Sequence, residues 1–373
     1  MLAAKTPRGV DQAYFLCSGS EAVEAALKLA RQYHVVRGQD ARRSIIALSP
    51  GYHGNTLLAL SASGRERYRA VFEPWLLDVH MIPAPYPYRA EGAGGASLSA
   101  SALEDAIVRI GPQNVAAFIA EPVGGSSTGA SVAPRYYYAA VREICDRHGV
   151  LLVADEVLSG AGRTGKFFAL EHFGARDGGE IAPDIIVMGK GLNGGYAPLS
   201  AFIAKSALVE AIAQSGGNFL HAQTFSHNPV GCAAAAAVLR YIERHDLVKR
   251  AAEMGAVLQS RLKTLRSSGA GAELVGDVRG IGMLAAVELV ADRASKRPFA
   301  RALLVAETLV DHAAERGLLL WPNTGHADGS NGDLVVIAPP YTIGRDEIEE
   351  LVELLRLSLA DVAAALRKME QRL

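Results

Sequence analysis

Short hydrophobic runs alternate with longer helical patterns over the first two thirds of the chain. The predicted strands are Ser44 to Leu48, Val115 to Ala120, Val150 to Ala154, Ile185 to Met188 and Leu199 to Ala204. The predicted helices are Glu21 to Arg37, Pro134 to His148 and Pro229 to His245. This alternation is typical of parallel strands joined by crossover helices. It predicts an α/β fold with a mostly parallel sheet.

The pattern changes after Asp246. It predicts a long amphipathic helix, short strands around Leu274 to Val278 and Gly282 to Leu289, a helix from Phe299 to Arg316, a strand pair near Leu318 and Leu334, and a closing helix from Arg345. Elements in this order are typical of an α+β unit. We therefore predict a large domain at residues 1–245 and a smaller C-terminal α+β domain at residues 246–373.

The composition of the chain indicates which classes of binding partner to expect. Half of the 373 residues are hydrophobic, and 38 Lys and Arg balance 39 Asp and Glu without a run of like charge. Nucleic acid and membrane are therefore not expected partners. Cys17, Cys145 and Cys232 form no CxxC pair, which favours reduced thiols in the cytoplasm and gives no reason to expect a metal site. We expect a soluble, cytoplasmic protein that acts on small molecules.

The first candidate site is the turn Ser18-Gly19-Ser20, which follows a strand-like run and leads into the helix predicted from Glu21. Free backbone N–H groups at a helix start bind anions, and small residues allow close approach, so the turn suits a phosphate. The alternative is a plain helix cap by Ser20, with Glu21 and Glu24 near the positive end of the helix. Both interpretations stay open from this turn alone.

Two further motifs lie at the ends of predicted strands, where open α/β sheets bind ligands. The run Leu151 to Glu156 ends in two carboxylates, and the run Ile185 to Gly191 places Lys190 between glycines. A carboxylate such as Asp155 can pair with a protonated pyridine nitrogen, bind Mg²⁺ or cap a helix. Desolvation at a strand end favours a neutral lysine amine, as a Schiff base requires, whereas a surface lysine is the alternative. The combination with the Ser-Gly-Ser turn favours the Schiff base.

The order of these motifs resembles that of class III (ornithine and ω-amino acid type) aminotransferases, which are pyridoxal 5'-phosphate (PLP) enzymes of fold type I. The matching segments are Ser18-Gly19-Ser20-Glu21-Ala22, Gly51-Tyr52-His53-Gly54, Ala120-Glu121-Pro122-Val123, Asp155-Glu156-Val157 with Gly162-Arg163-Thr164-Gly165, Lys190-Gly191-Leu192, and Thr224 within His221 to Pro229. Their order and spacing agree over nearly the whole chain. The resemblance implies PLP as the cofactor and fold type I as the fold.

The resemblance also implies how this chain would hold PLP. Ser18, Gly19 and Ser20 belong to the cofactor site, where Gly19 and Ser20 bind the phosphate. Tyr52 stacks on one face of the pyridine ring, and Val157 packs on the other. An aromatic ring and a branched aliphatic side chain hold a flat ring without competing for its protons.

Asp155 and Lys190 are the catalytic residues that the resemblance implies. Asp155 would keep the ring nitrogen protonated. Lys190 would hold PLP as a Schiff base and, once displaced by substrate, would shuttle a proton between the substrate Cα and the cofactor's C4′ carbon. Glu121 is expected to support the site near Asp155. His53 is assigned to the cofactor site, as a structural or a catalytic group.

Thr224 implies a partner subunit. In the family, the corresponding threonine reaches the phosphate of the neighbouring subunit's cofactor, so we expect a homodimer with active sites at the interface. A simple cap of the helix that begins at Pro229 is the alternative for Thr224.

Two departures from the family bear on substrate. Members usually carry many more residues before the Ser-Gly-Ser turn, so we expect either a more open site or an N-terminally truncated chain. Many members also have an arginine in the C-terminal domain that binds a substrate carboxylate, and here Trp321 stands at that place. Because tryptophan cannot form this ion pair, dicarboxylate partners are not expected. The loop that follows offers Thr324, His326 and Asn331 as candidates.

The leading interpretation is a PLP-dependent aminotransferase. It would move an amino group from a primary amine or ω-amino acid to a 2-oxo acid such as pyruvate, in two ping-pong half-reactions. One alternative is a PLP-dependent lyase or aminomutase of the same family, because the same cofactor residues serve these reactions. The other is a catalytically inactive PLP-binding dimer.

Overall fold

Strands and helices alternate along the chain in this computed structural model, which describes residues 1–90, 99–174 and 179–371. The strands are β1 (Val10–Leu16), β2 (Ser44–Ser49), β3 (His80–Pro83), β4 (Val115–Ala120), β5 (Leu151–Asp155), β6 (Ile185–Met188), β7 (Ser200–Lys205), β8 (Val275–Ile281), β9 (Leu284–Leu289), β10 (Trp321–Thr324) and β11 (Asp333–Ile337). The α-helices are α1 (Gly19–Val36), α2 (Leu57–Ser61), α3 (Glu66–Phe72), α4 (Ser101–Ile110), α5 (Tyr137–His148), α6 (Ser206–Gln214), α7 (Pro229–Arg244), α8 (Leu247–Lys263), α9 (Val305–Glu315) and α10 (Arg345–Glu370).

Seven strands form one sheet in the order β1-β7-β6-β5-β4-β2-β3. The five strands from β6 to β3 are parallel, and β7 and β1 add antiparallel pairs at one side. Strands β4, β5 and β6 are buried along their whole length, as expected of parallel strands with helices on both faces. The predicted strands are all present. Only the short edge strand β3 gave no clear hydrophobic pattern.

Helix α1 begins at Gly19, two residues before the predicted start. The cap is Ser18 and not Ser20, because the Ser18 hydroxyl accepts a hydrogen bond from the Glu21 N–H (3.3 Å) and the Glu21 carboxylate accepts one from the Ser18 N–H (2.8 Å). This reciprocal capping box satisfies two backbone donors at once. The predicted start at Phe299 was also wrong, because α9 begins at Val305 after a left-handed residue at Leu304.

The other four strands form an antiparallel sheet in the order β10-β11-β9-β8. Along β9, Leu284 and Ala286 pack against the core of the seven-stranded sheet, whereas Ala285, Val287 and Leu289 pack with α8, α9 and α10. This follows from the two-residue period of a strand. The small sheet therefore has one face toward the large sheet, and the α/β fold with a smaller C-terminal α+β part is confirmed. The domain boundary at residues 245 and 246 stays a prediction.

None of the helices in residues 1–90, 99–174 and 179–371 has both the length and the apolar character needed to cross a bilayer. The same residues contain no group of three or more His, Cys, Asp or Glu side chains arranged to hold a metal ion.

Candidate active site

The carboxyl ends of β2, β4, β5 and β6 meet at a cavity of about 160 Å³, called here the strand-end cavity. Its lining residues are Gly19, Ser20, Tyr52, His53, Gly54, Glu121, Ser126, Asp155, Val157, Leu158 and Lys190. All the predicted site residues except Ser18 and Thr224 are in this set. Parallel strands place the residues that follow them at one edge of the sheet, which is why separate motifs meet there.

Asp155 is the last residue of β5 and is buried. One carboxylate oxygen lies 2.7 Å from His53 Nδ1, and the other accepts a hydrogen bond from the Val157 N–H at 3.0 Å. Burial by itself would lower the pKa of His53, but the hydrogen bond to Asp155 and the charges of Asp155 and Glu121 outweigh it and raise that pKa. His53 is thus a buried hydrogen-bond partner of Asp155. Its Nε2 is buried and has no hydrogen-bond partner in the described chain.

Glu121 follows β4 and binds the loops around the cavity. Its carboxylate accepts hydrogen bonds from the Tyr52 N–H (3.0 Å), the Gly125 N–H (2.8 Å) and the Ser127 hydroxyl (2.8 Å). Burial raises the pKa of Glu121 and the charge of Asp155 adds to the rise, although His53, the Ser127 hydroxyl and the Tyr52 N–H oppose it. These contacts tie Glu121 to the loops around the cavity, and its supporting role toward the cofactor stays a prediction.

Glu156 has different contacts from those of Asp155, although the two residues are adjacent in the sequence. Its buried carboxylate accepts hydrogen bonds from the Ser159 hydroxyl (2.6 Å) and from the N–H groups of Ala169 (3.0 Å) and Leu170 (2.9 Å). Burial raises the pKa of Glu156 to about 7. Glu156 therefore orders the segment after β5 and does not line the strand-end cavity.

The start of α1 forms one wall of the strand-end cavity. Because Ser18 is the cap, Gly19 and Ser20 occupy the first turn, where N–H groups have no partner within the helix. A Cβ atom on Gly19 would lie 2.9 Å from Val157 Cγ1, and one on Gly54 would lie 2.4 Å from the Ser20 hydroxyl oxygen. The close packing therefore requires glycine at both places. The wall presents small residues and free backbone donors, which together suit a phosphate.

Lys190 opens a 3₁₀ helix that follows β6 through Gly189. Its φ of +41° is a left-handed conformation, which is strained for a residue with a side chain and is found most often at functional sites. Lys190 lines the strand-end cavity but is exposed. The expected desolvation is therefore wrong for the single chain, because β6 ends at an open cleft that water reaches.

Ser18 and Thr224 lie outside the strand-end cavity. The Ser18 hydroxyl is the acceptor in the cap of α1, and its place in the cofactor site stays a prediction. Thr224 is exposed. It is not a helix cap, because Asn228 caps α7 with hydrogen bonds from the N–H groups of Val230 (2.9 Å) and Gly231 (3.4 Å).

A wider cavity of about 470 Å³ lies beside the first and is bordered by the loop after β10. Its lining residues include Arg65, Tyr68, Ser127, Trp321, Asn323, Thr324 and His326. Asn331, the third candidate of that loop, instead bonds Asp328 and the Arg301 N–H. Sequence reasoning missed Arg65 and Asn323, because neither belongs to a recognisable motif. It also missed Ser126 and Leu158 in the strand-end cavity for the same reason.

Comparisons with known proteins identify the family. The family model for aminotransferase class III matches residues 1–359. The chain is 38% identical over 371 residues to the uncharacterised aminotransferase YodT of Bacillus subtilis, covering 99% of this chain and 82% of that protein. It is 34% identical to a putrescine–pyruvate aminotransferase of Pseudomonas aeruginosa, covering 98% and 76%.

Solved structures agree with these sequence matches. A crystal structure of a transaminase from the marine bacterium Virgibacillus superposes with a TM-score of 0.88 at 32% identity, covering 98% of this chain and 78% of that one. An amine transaminase from an uncultivated Pseudomonas species, solved in its PLP-bound form, gives 0.84 at 34% identity, covering 94% and 77%. With the motifs and the fold, these matches establish that the chain belongs to the class III aminotransferases.

Proposed function

We propose that this aminotransferase binds PLP in the strand-end cavity and moves an amino group from a primary amine or ω-amino acid to a 2-oxo acid such as pyruvate. The observation that carries the proposal is the meeting of three groups in that cavity. These are the Lys190 amine, the buried Asp155–His53 pair and the free N–H groups at the start of α1.

The residues of the cavity fit PLP. Gly19 and Ser20, small residues in the first turn of α1, line the cavity, which suits a phosphate there. A carboxylate suits a protonated pyridine nitrogen, and Asp155 is the buried carboxylate there. Tyr52 and Val157 supply an aromatic ring and a branched aliphatic side chain for a flat ligand.

Each proposed catalytic group has one task. PLP, when bound, supplies a carbonyl for the amine and an electron sink for negative charge at the substrate Cα. Lys190 would hold the cofactor covalently between turnovers, and its amine, once displaced, would take the proton from the substrate Cα and deliver it to the cofactor's C4′ carbon. Asp155 would accept a hydrogen bond from the protonated ring nitrogen. His53 donates to Asp155 through Nδ1 and so fixes the orientation of that carboxylate.

We also propose a homodimer whose active sites lie at the interface. Lys190 and Thr224 are both exposed in the single chain, and a second subunit would cover them. Leu220, Phe225 and Val230 are exposed around Thr224, and clusters of exposed hydrophobic side chains are typical of protein interfaces. Thr224 would then contribute to the phosphate site of the partner.

The proposed location is the cytoplasm, and the proposed partners are small molecules. Cys17, Cys145 and Cys232 are free thiols, as expected in a reducing compartment. The balance of 38 basic and 39 acidic residues offers no electrostatic basis for binding nucleic acid.

A half-reaction assay tests the proposed function. The PLP-loaded protein is mixed with single amines, such as β-alanine, 4-aminobutyrate, ornithine and a benzylic amine, and the visible absorbance of bound PLP is followed. We expect one class of amine to remove the band and pyruvate to restore it. Lys190→Ala should lose both changes while keeping its circular dichroism spectrum. A wild-type band that no amine changes, or normal turnover in Lys190→Ala, would contradict the proposal.

A further inference from the structure

Arg65 lines the wider cavity, and its guanidinium lies over the ring of Tyr52, which lines the strand-end cavity. It is half-buried in the loop before α3. Its guanidinium carbon is 5.8 Å from the centre of the Tyr52 ring and 4.4 Å from that of the Tyr68 ring. Stacking on two aromatic rings holds a planar guanidinium in place while leaving its edge free for hydrogen bonds. One of its nitrogens donates to the side-chain oxygen of Asn323.

Arg65 has no anionic partner among the residues that the structure describes. In residues 1–90, 99–174 and 179–371, no carboxylate oxygen lies within 4.0 Å of its nitrogens. The acidic residues that line the wider cavity are occupied or exposed. Glu307 pairs with Arg301, Asp328 accepts hydrogen bonds from its own loop, and Glu66 is exposed. A partly buried guanidinium with most of its five donors unused is a ready site for an anion.

The contacts of Arg65 lead directly to the strand-end cavity. Asn323, which accepts from Arg65, donates through Nδ2 to the Ser127 carbonyl at 3.1 Å. The Ser127 hydroxyl in turn donates to the Glu121 carboxylate at 2.8 Å. Tyr52, under the guanidinium, lines the strand-end cavity. An anion bound at Arg65 would therefore lie next to the proposed reaction site, in a cavity large enough for a small organic acid.

We propose that Arg65, held by Asn323, binds the carboxylate of the 2-oxo acid substrate and of the amino acid formed from it. This inference rests on the proposed function and names the residue that replaces an arginine at Trp321. A guanidinium binds a carboxylate through two parallel hydrogen bonds, which would orient the oxo carbon as well as hold the acid. Asn323 is a positioning residue, because it acts through Arg65.

Separate half-reactions test the subsite in the PLP-loaded protein. In Arg65→Gln, we expect the KM for pyruvate to rise about 10- to 100-fold, the range for losing a hydrogen bond to a charged group. The half-reaction with a benzylic amine, which has no carboxylate, should stay close to wild type. Arg67→Gln is the matched control, because it removes the same charge from an exposed residue at the rim of the same cavity. Equal losses with pyruvate and benzylic amine, or equal losses in the two variants, would overturn the assignment.

Binding of propionate gives a readout that does not depend on turnover. Trp75 and Trp321 are the two tryptophans of the chain, and Trp321 lines the wider cavity, so Trp321 fluorescence can be followed in a Trp75→Phe background. We expect propionate to cause a saturable change that Arg65→Gln abolishes and Arg67→Gln retains. Saturable binding that Arg65→Gln leaves unaltered would refute the subsite.

The two proposals fail in different ways. Propionate binding that depends on Arg65, in a protein that transaminates no amine, would support the subsite and refute the proposed function. Normal transamination by the wild type, with an unchanged KM for pyruvate in Arg65→Gln, would support the proposed function and refute the subsite.

Discussion

Asp155 and Glu288 are both buried carboxylates with a histidine beside them, yet they differ in what surrounds them. Asp155 lies 2.7 Å from His53 Nδ1, accepts a hydrogen bond from the Val157 N–H, and otherwise faces the strand-end cavity. Glu288 is fully buried in β9 and lies 3.2 Å from His326 Nε2. The first carboxylate is open on one side, and the second is enclosed.

The enclosure of Glu288 is made by groups from distant parts of the chain. Arg89 Nε donates to one oxygen at 2.8 Å, Arg279 Nη1 lies 2.7 Å from the other, and the Tyr86 hydroxyl also donates. Burial would raise the pKa of Glu288, but His326 and the two guanidiniums hold it well below its usual range. A buried charge saturated in this way joins structural elements, whereas one with an unfilled side at a cavity is available to a ligand.

The largest loss of kcat is expected from Asp155→Asn. Asparagine keeps the size of the side chain but cannot supply the negative charge that the pyridine nitrogen requires, so kcat should fall about 100- to 1,000-fold. The melting temperature of the protein without PLP should fall less than in Glu288→Gln, because Asp155 has one basic neighbour, His53, whereas Glu288 has three. Stopped-flow absorbance and thermal melts measure the two quantities. A large loss of stability with activity preserved would instead make Asp155 a structural group like Glu288.

Glu288→Gln should mainly lower the stability of the protein, whereas Asp155→Asn should mainly lower kcat. Removing the charge leaves Arg89 and Arg279 facing a neutral side chain in the interior, which should lower the free energy of unfolding by about 3 kcal/mol. The kcat per mole of bound PLP should remain near wild type. Denaturant unfolding and an activity assay at a temperature below the transition provide the test. Wild-type stability with lost activity would place Glu288 in the reaction instead.

The smallest loss of kcat is expected when His53 is replaced. His53→Phe removes the donor to Asp155 and should lower kcat about 10-fold, the size of one hydrogen bond to a charged group. Because the pKa of His53 is raised in the folded protein, its contribution to stability is full below the unfolded pKa and is lost as the pH rises through the folded one. The Tm difference between wild type and His53→Phe should therefore shrink on going from pH 6 to pH 9.

A second variant at the same position separates the contribution of the His53 hydrogen bond from that of its titrating charge. His53→Gln retains a donor without a titrating charge, so it should recover part of kcat. Its Tm difference from wild type should nevertheless shrink between pH 6 and pH 9 as that of His53→Phe does. If kcat is equal in His53→Phe and wild type, then the contact with Asp155 has no part in the reaction.

The parts of the site that the sequence predicted share one property. Glu121, Asp155 and Lys190 each follow a buried strand, so the hydrophobic pattern and the geometry of a parallel sheet bring them to one edge. The start of α1 is likewise local, although Ser18 and not Ser20 proved to be the cap. Contacts over long separations could not be predicted, because no local pattern records them. His53 and Asp155 are 102 residues apart, and Arg65 and Asn323 are 258 apart.

The sequence by itself determined the family, the order of strands and helices, and which residues reach the sheet edge, because hydrophobic period and helix caps act over a few neighbouring residues. Only the tertiary structure decided which buried charge is saturated and which is open. It also decided that Lys190 is exposed, and that Arg65 keeps unused donors beside Tyr52. The physical reason is that the environment of a charge depends on every segment that packs around it, and those segments come from distant parts of the chain.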